Sequence, residues 1–178
     1  MSITLHRYSH EQLAGDLSIQ DLKDLFGIML DENLVEVFFH DGTVRTLDEF
    51  IGFATSDKAW FHAAFCEGEW IGFGVLNSLT SSGNTAMAHL CSFACGRKSG
   101  AFNRAAVQWL SMHYVQNGID TMVAVVPHCY RGLRQWMVAL GYVHKMRLPG
   151  AFTLHRSNGL REASADVYQL DLNATHTR

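Results

Sequence analysis

Apolar residues change their period several times along this chain, and each change predicts an element. Residues 3–8 read as a first strand. From Ser9 to Leu30 the pattern turns helical, with Leu13, Leu17, Leu22, Leu25, Phe26 and Met29 at three- and four-residue spacing. Ser18 is an N-cap for a helix over 19–30, with Asp21 in the capping-box position. Asp41-Gly42 signals a turn. Thr46 caps a short helix reaching Ala54. Glu49 completes Thr-x-x-Glu there, and Leu47, Phe50, Ile51 and Phe53 are its apolar residues.

The middle of the chain is rich in aromatic and β-branched residues. Runs 60–66 and 70–76 flank Glu67-Gly68-Glu69 and predict a hairpin. Residues 77–84, rich in Ser, Thr and Gly, form a second turn leading to a strand over 85–93. A charged loop follows, Gly96-Arg97-Lys98-Ser99-Gly100-Ala101. An amphipathic helix over 102–116 ends at Asn117-Gly118, and a strand over 119–126 is stopped by Pro127. A helix over 130–140 is stopped by Gly141. Residues 166–172 alternate, with Tyr168, Leu170 and Leu172 on one face, and form a last strand.

Three antiparallel strands followed by helix, strand, helix imply a parallel addition to one sheet. The expected fold is α+β in three layers, a mixed sheet with helices on both faces. The β-rich middle excludes an all-α bundle. No Gly-x-Gly-x-x-Gly follows the first strand, which argues against a dinucleotide fold.

Composition narrows the class. The 178 residues suit one domain spanning 1–178, and with 48% hydrophobic and 17% charged residues the chain is globular. A net charge of −3 argues against a nucleic-acid binder. No apolar run approaches the ~20 residues of a membrane span, and the first residues lack the blocks of a signal peptide, so a cytoplasmic protein is expected. Cys66, Cys91, Cys95 and Cys129 are too sparse for a disulfide framework. Cys91 and Cys95, read on one extended strand, stand about 13 Å apart and cannot share an ion, so no metal is expected.

A strand feeding a basic, glycine-bearing loop that opens a helix makes an anion site, because free amides and the helix dipole point at its occupant. The order of elements from about Trp60 to Leu172 resembles the GNAT superfamily of acetyl-CoA-dependent N-acetyltransferases. The signature loop of that superfamily is Gln/Arg-x-x-Gly-x-Gly/Ala. It aligns with Arg97-Lys98-Ser99-Gly100-Ala101-Phe102, matching at the first and fourth positions, with Phe at the sixth. The resemblance implies acetyl-CoA as cosubstrate. It places a pyrophosphate on the backbone of Lys98, Ser99, Gly100, Ala101, Phe102 and Asn103, with Arg97, Lys98 and Arg104 lending positive charge. It also lays the pantetheine arm along the backbone of Leu90, Cys91 and Ser92.

Acyl transfer to an amine needs a base for the amine and an acid for the leaving thiolate. The superfamily's last helix reads Asn-x-x-Ala-x-x-x-Tyr-x-x-x-Gly-Phe. Counting back from Gly141-Tyr142, this chain has Met137 at the Tyr position, Leu133 at the Ala position and Tyr130 at the Asn position. Met donates no proton, so Tyr130, one or two turns earlier, is the candidate acid. His89, beside the pantetheine segment, is the candidate base. His62, Glu67 and Glu69 are lesser candidates, and His128-Cys129 at a strand's end is a remote nucleophile pair. His113 reads as a core or half-exposed helix residue. The basic stretch from His144 to Ala165 is open to being a lid, a surface hairpin or a homodimer contact.

Two functions stay open. One is an N-acetyltransferase acting by direct transfer on a small-molecule or peptide amine. The other is a catalytically silent GNAT-like domain, phage-encoded proteins included, that binds acyl-CoA or serves assembly. Neither needs nucleic acid or a membrane.

Overall fold

The computed structural model describes residues 2–9, 11, 13–77, 84–156 and 158–173. The elements are β1 (Ile3–Arg7), α1 (Ile19–Asp31), α2 (Val35–Phe38), α3 (Leu47–Ala54), β2 (Trp60–Cys66), β3 (Glu69–Asn77), β4 (Thr85–Ser92), α4 (Ala94–Ser99), α5 (Ala101–Asn117), β5 (Thr121–Pro127), α6 (Arg131–Ala139), β6 (Val143–Arg156) and β7 (Gly159–Asp171). Among the described residues seven strands form one sheet in the order β1-β2-β3-β4-β5-β7-β6. The pairs are antiparallel except β4–β5, which is parallel. The expected architecture is therefore present: antiparallel strands, one parallel addition and helices on both faces.

Local chemistry explains most boundaries. Both predicted capping boxes close. The Ser18 hydroxyl accepts from Asp21 N–H while the Asp21 carboxylate accepts from Ser18 N–H, and Thr46 and Glu49 do the same. The β2–β3 hairpin turns on Glu67 and Gly68, both at positive φ (52° and 90°), which matches the right-handed twist of its strands.

Four expectations need correction. The described residues between 9 and 18 are not helical. Gly15 sits at φ 91°, a conformation no helix contains, and Leu13 is 53% exposed. The charged loop is a helix, α4, joined to α5 through Gly100 at φ 66°. Cys95 therefore lies on α4 and not on a strand with Cys91. The long basic stretch is the β6–β7 hairpin, so the last strand begins at Gly159 rather than at 166. Its outer half carries mixed side chains on an exposed edge, which hides the alternation. The turn at 77–84 falls largely outside the described residues.

Each face of the sheet has its own core. Helices α1 to α3 cover Phe61, Ala63, Phe73, Val75 and Cys91, with Phe50 and Phe73 fully buried. Residues of α5 and α6 cover Ala86, Ala88, Met122, Ala124, Val126, Tyr168 and Leu170 on the other face. A bulge between Ala64 and Phe65 shifts the β2–β3 register. Beyond it Ile71 packs with Ala64, Cys66 and Phe102, while Trp70 packs with the opposite core.

Two polar clusters are locked inside. Asp166 on β7 is buried, its oxygens 2.7 Å from His128 Nδ1, 2.8 Å from Arg147 Nε, 3.3 Å from His144 Nε2 and 3.6 Å from Arg134. Burial alone raises a carboxyl, but hydrogen bonds from Arg147, His128 and His144 outweigh it and hold Asp166 at about 2. Under α5, the His62 and His113 rings lie 5.1 Å apart between Trp60 and Trp109. His113 is 1% exposed, more deeply buried than its sequence suggests. Desolvation pushes His62 down to about 4 and His113 to about 3.

The signs of these shifts set the acid stability. The unfolded chain takes up protons on both histidines below 6.5, whereas the folded chain refuses them until about 4 and 3. Stability is therefore complete above pH 6.5. It falls on acidification at up to about 1.4 kcal/mol per pH unit for each histidine. Asp166, held low, adds a further loss below its ordinary 3.8. Thermal melts from pH 7.5 to 4.5 are expected to show this fall, and His62→Gln with His113→Gln to flatten it. Asp166→Asn is expected to destabilise by about 3 kcal/mol in urea titrations, since it removes the buried carboxylate that Arg134 and Arg147 face.

Candidate functional site

The parallel ladder between β4 and β5 is short. It joins Thr85 to Thr121, Ala86 to Met122 and Met87 to Val123, and there it stops. The outer edges of both strands remain paired, β4 with β3 as far as Ser92 and β5 with β7 as far as Pro127. Residues 88–92 and 124–127 thus face each other across a gap. A cleft of about 680 Å³ opens there. It sits at the C-terminal ends of parallel strands, where open sheets place ligands.

Helices from both faces wall the cleft. Leu34, Val37, Phe38 and His40 come from α2 and its flanks, and Asn103 comes from the first turn of α5. Tyr130, Gly132, Leu133, Trp136 and Met137 come from α6 and its N-cap. Trp136 Nε1 donates to Asn103 Oδ1 at 2.6 Å, tying α6 to the start of α5. The Trp136 ring also lies 5.7 Å from Phe102.

The two candidate catalytic residues reach this cleft. His89 lines it from β4, with Nε2 3.3 Å from Asn77 Oδ1. Desolvation lowers its pKa, helped by His40 and opposed by Asp41, so the ring is neutral near pH 7. Tyr130 lines it from α6, and its hydroxyl is buried with no partner among the described residues. The Arg156 guanidinium lies 5.2 Å from the Tyr130 ring centre. Met137, in the place of the expected tyrosine, also lines the cleft.

The proposed cofactor residues divide. Leu90, Cys91, Ser92, Arg97 and Asn103 line the cleft. Lys98 and Ser99 are exposed on α4, where helix geometry turns their amides inward. Gly100 N–H donates to Arg97 C=O, and Ala101 N–H to Ser99 Oγ. Phe102 is 3% exposed, in one buried cluster with Ile71, Ala101 and Ala105. A Cβ on Gly72 would meet its ring at 2.3 Å, so this glycine makes room for it. The sixth-position Phe therefore turns into the core and does not narrow the mouth. What the α4–α5 corner offers to an anion is the first turn of α5 at Phe102 and Asn103, whose amides have no intrahelical acceptors.

An internal carboxylate meets the start of α4. Glu32 accepts from Ala94 N–H at 2.7 and 2.8 Å and from Arg97 at 2.9 Å. Arg97 also donates to the Ser92 carbonyl. The remaining candidates lie elsewhere. His62 belongs to the buried histidine pair. Glu67 and Glu69 are exposed at the hairpin turn, and His128 is held by Asp166 while Cys129 is exposed. Sequence reasoning missed the α2 wall, because one four-residue helix has no period to detect. The Phe38-Phe39-His40 run was its only signal.

No protein-family model matches this sequence, and no curated protein matches it significantly. Solved structures do match in shape. One is the spermidine N-acetyltransferase from Vibrio cholerae in complex with CoA and spermine, at 11% identity, with 96% of each chain covered and a TM-score of 0.75. Another is a chimera of the V. cholerae enzyme SpeG and hSSAT, at 13% identity, with 99% of each chain covered and a TM-score of 0.75. Mutant forms of the V. cholerae spermidine/spermine N-acetyltransferase match at 12% identity, with 99% of each chain covered and a TM-score of 0.74. The chain has the fold of the GNAT acetyltransferases.

The burial of His89 has a direct readout. Its imidazole is expected to titrate below 6.5 in the free protein, as measured by the pH dependence of its ring resonances. Asn77→Ala, which leaves the burial in place, is expected to keep that midpoint below 6.5.

Proposed function

We propose that the chain is an acetyl-CoA-dependent N-acetyltransferase, one acyltransferase domain that acts on an amine by direct transfer. The observation that carries this reading is the break in the β4–β5 ladder, with His89 and Tyr130 both on the cleft it opens. The unpaired edge of β4 at Leu90, Cys91 and Ser92 suits an extended pantetheine arm as an added strand. The first turn of α5, at Phe102 and Asn103, suits a pyrophosphate through its amides and dipole. Arg97 at the mouth adds positive charge once it shares or leaves Glu32.

Acetyl-CoA supplies the acyl group as a thioester. The chain's residues manage protons and exclude water. His89, neutral at working pH, accepts the proton the amine must lose. The unpartnered Tyr130 hydroxyl is the donor to the departing sulfur, taking the part that Met137 cannot play. Phe38, Leu133, Trp136 and Met137 surround the site with apolar surface and strengthen every polar contact inside it.

A second reading is a silent GNAT-like module that binds acyl-CoA without turning it over. Met137 at the tyrosine position and the Glu32–Arg97 pair favour it. Catalysis and binding separate the two. Calorimetry with acetyl-CoA is expected to give micromolar binding. Asn103→Glu puts a carboxylate at the first turn of α5, where it suits the helix dipole but repels a phosphate, and is expected to weaken binding at least ~10-fold. Tyr130→Phe is expected to bind acetyl-CoA normally and lose about 10²-fold in kcat. Binding without turnover of any amine favours the silent module, and no binding removes both readings.

A further inference from the structure

Among the described residues no carboxylate lines the cleft. Among its described lining residues Arg97 is the one formal charge, and the rest are apolar or aromatic apart from His40, His89, Ser92, Asn103 and Tyr130. The end away from α5 is built from Leu34, Val37, Phe38, His40 and His89. The Phe38 and His89 rings lie 6.4 Å apart, and His40 stands edge-on to Phe152 at 4.4 Å. Burial lowers the pKa of both histidines, so neither carries a charge at neutral pH.

Of the acids next to this wall in sequence, Glu36 is exposed on α2, while Glu32 and Asp41 are already engaged. Glu32 holds the Ala94 amide and Arg97. Asp41 accepts from Thr43 N–H at 3.1 Å and from Thr43 Oγ at 2.8 Å. A substrate bearing a second ammonium would have to bury that charge against rings and aliphatic carbons, with Arg97 and Arg156 nearby. Such burial is unfavourable without a counter-ion. An amine on a flat or aliphatic body meets the opposite condition, since its body fits the apolar wall and its one amino group sits beside His89.

Building on the acetyltransferase reading, we propose that the acceptor is a monoamine with an aromatic or aliphatic body, and that polyamines are excluded from this cleft although the fold is shared with spermidine N-acetyltransferases. The discriminating element is α2 with its flanks, which supplies Leu34, Val37, Phe38 and His40 to the wall.

The test uses the full chain. Acetyl-CoA binding is measured first by calorimetry. Release of free thiol from acetyl-CoA is then followed with 2-phenylethylamine and hexylamine on one side and spermidine and spermine on the other. The expected result is a kcat/KM at least tenfold higher for the monoamines. Val37→Glu, which adds a carboxylate at a half-exposed position of the wall, is expected to narrow or reverse that ratio while acetyl-CoA affinity stays the same. Equal or better turnover of spermidine by the wild type overturns the proposal and leaves the acetyltransferase reading intact. Acetyl-CoA binding with no turnover of either class overturns the acceptor proposal together with catalysis. Absence of acetyl-CoA binding overturns the acetyltransferase reading itself, and the acceptor proposal with it.

Discussion

The rest of the molecule depends on a hydrogen-bond ladder that ends early. β4 and β5 share three register positions and then part, although beyond that point β4 stays paired with β3 through Ser92 and β5 with β7 through Pro127. A parallel pair that separates leaves backbone donors and acceptors without partners in the middle of a sheet. Such groups are costly unless water or a ligand meets them. The helices of both faces converge on this gap, so the site is formed by the same feature that interrupts the sheet.

Buried charge holds the walls in place. Asp166 gathers His128, Arg134, His144 and Arg147 from the end of β5, from α6 and from β6 around one carboxylate. That fixes the outer side of α6, whose inner side presents Tyr130, Leu133, Trp136 and Met137 to the cleft. Glu32 does the corresponding work at the other wall, tying the end of α1 to the start of α4. Trp136 and Asn103 close the frame between α6 and α5. Each of these links pairs a charged or aromatic side chain with a polar partner from a distant segment.

The last helix departs from the pattern of the superfamily the chain resembles. The position where that superfamily carries its tyrosine holds a buried methionine, and a tyrosine stands seven residues earlier, at the N-cap of the same helix. Tyr130, just ahead of the helix, and Met137 within it both line the cleft.

Much of the fold was legible in the residues themselves. Ser18 with Asp21 and Thr46 with Glu49 announced two helix starts, Glu67-Gly68 a hairpin, and the alternation at Tyr168, Leu170 and Leu172 a strand, because each signal is satisfied within a few residues. The order of those elements also implied the parallel crossover. His89, Tyr130 and Leu90 to Ser92 were singled out through the resemblance, and all of them line the cleft. The conformation of 94–101 was decided by packing. Gly96 and Phe102 press on Ile71 and Gly72, and Glu32, some sixty residues away, caps Ala94, so a stretch that reads as a charged loop becomes a helix. The α2 wall, the Asp166 cluster and the burial of His113 were likewise decided in three dimensions. Contacts between distant segments set them, and no local pattern in the chain carries that information.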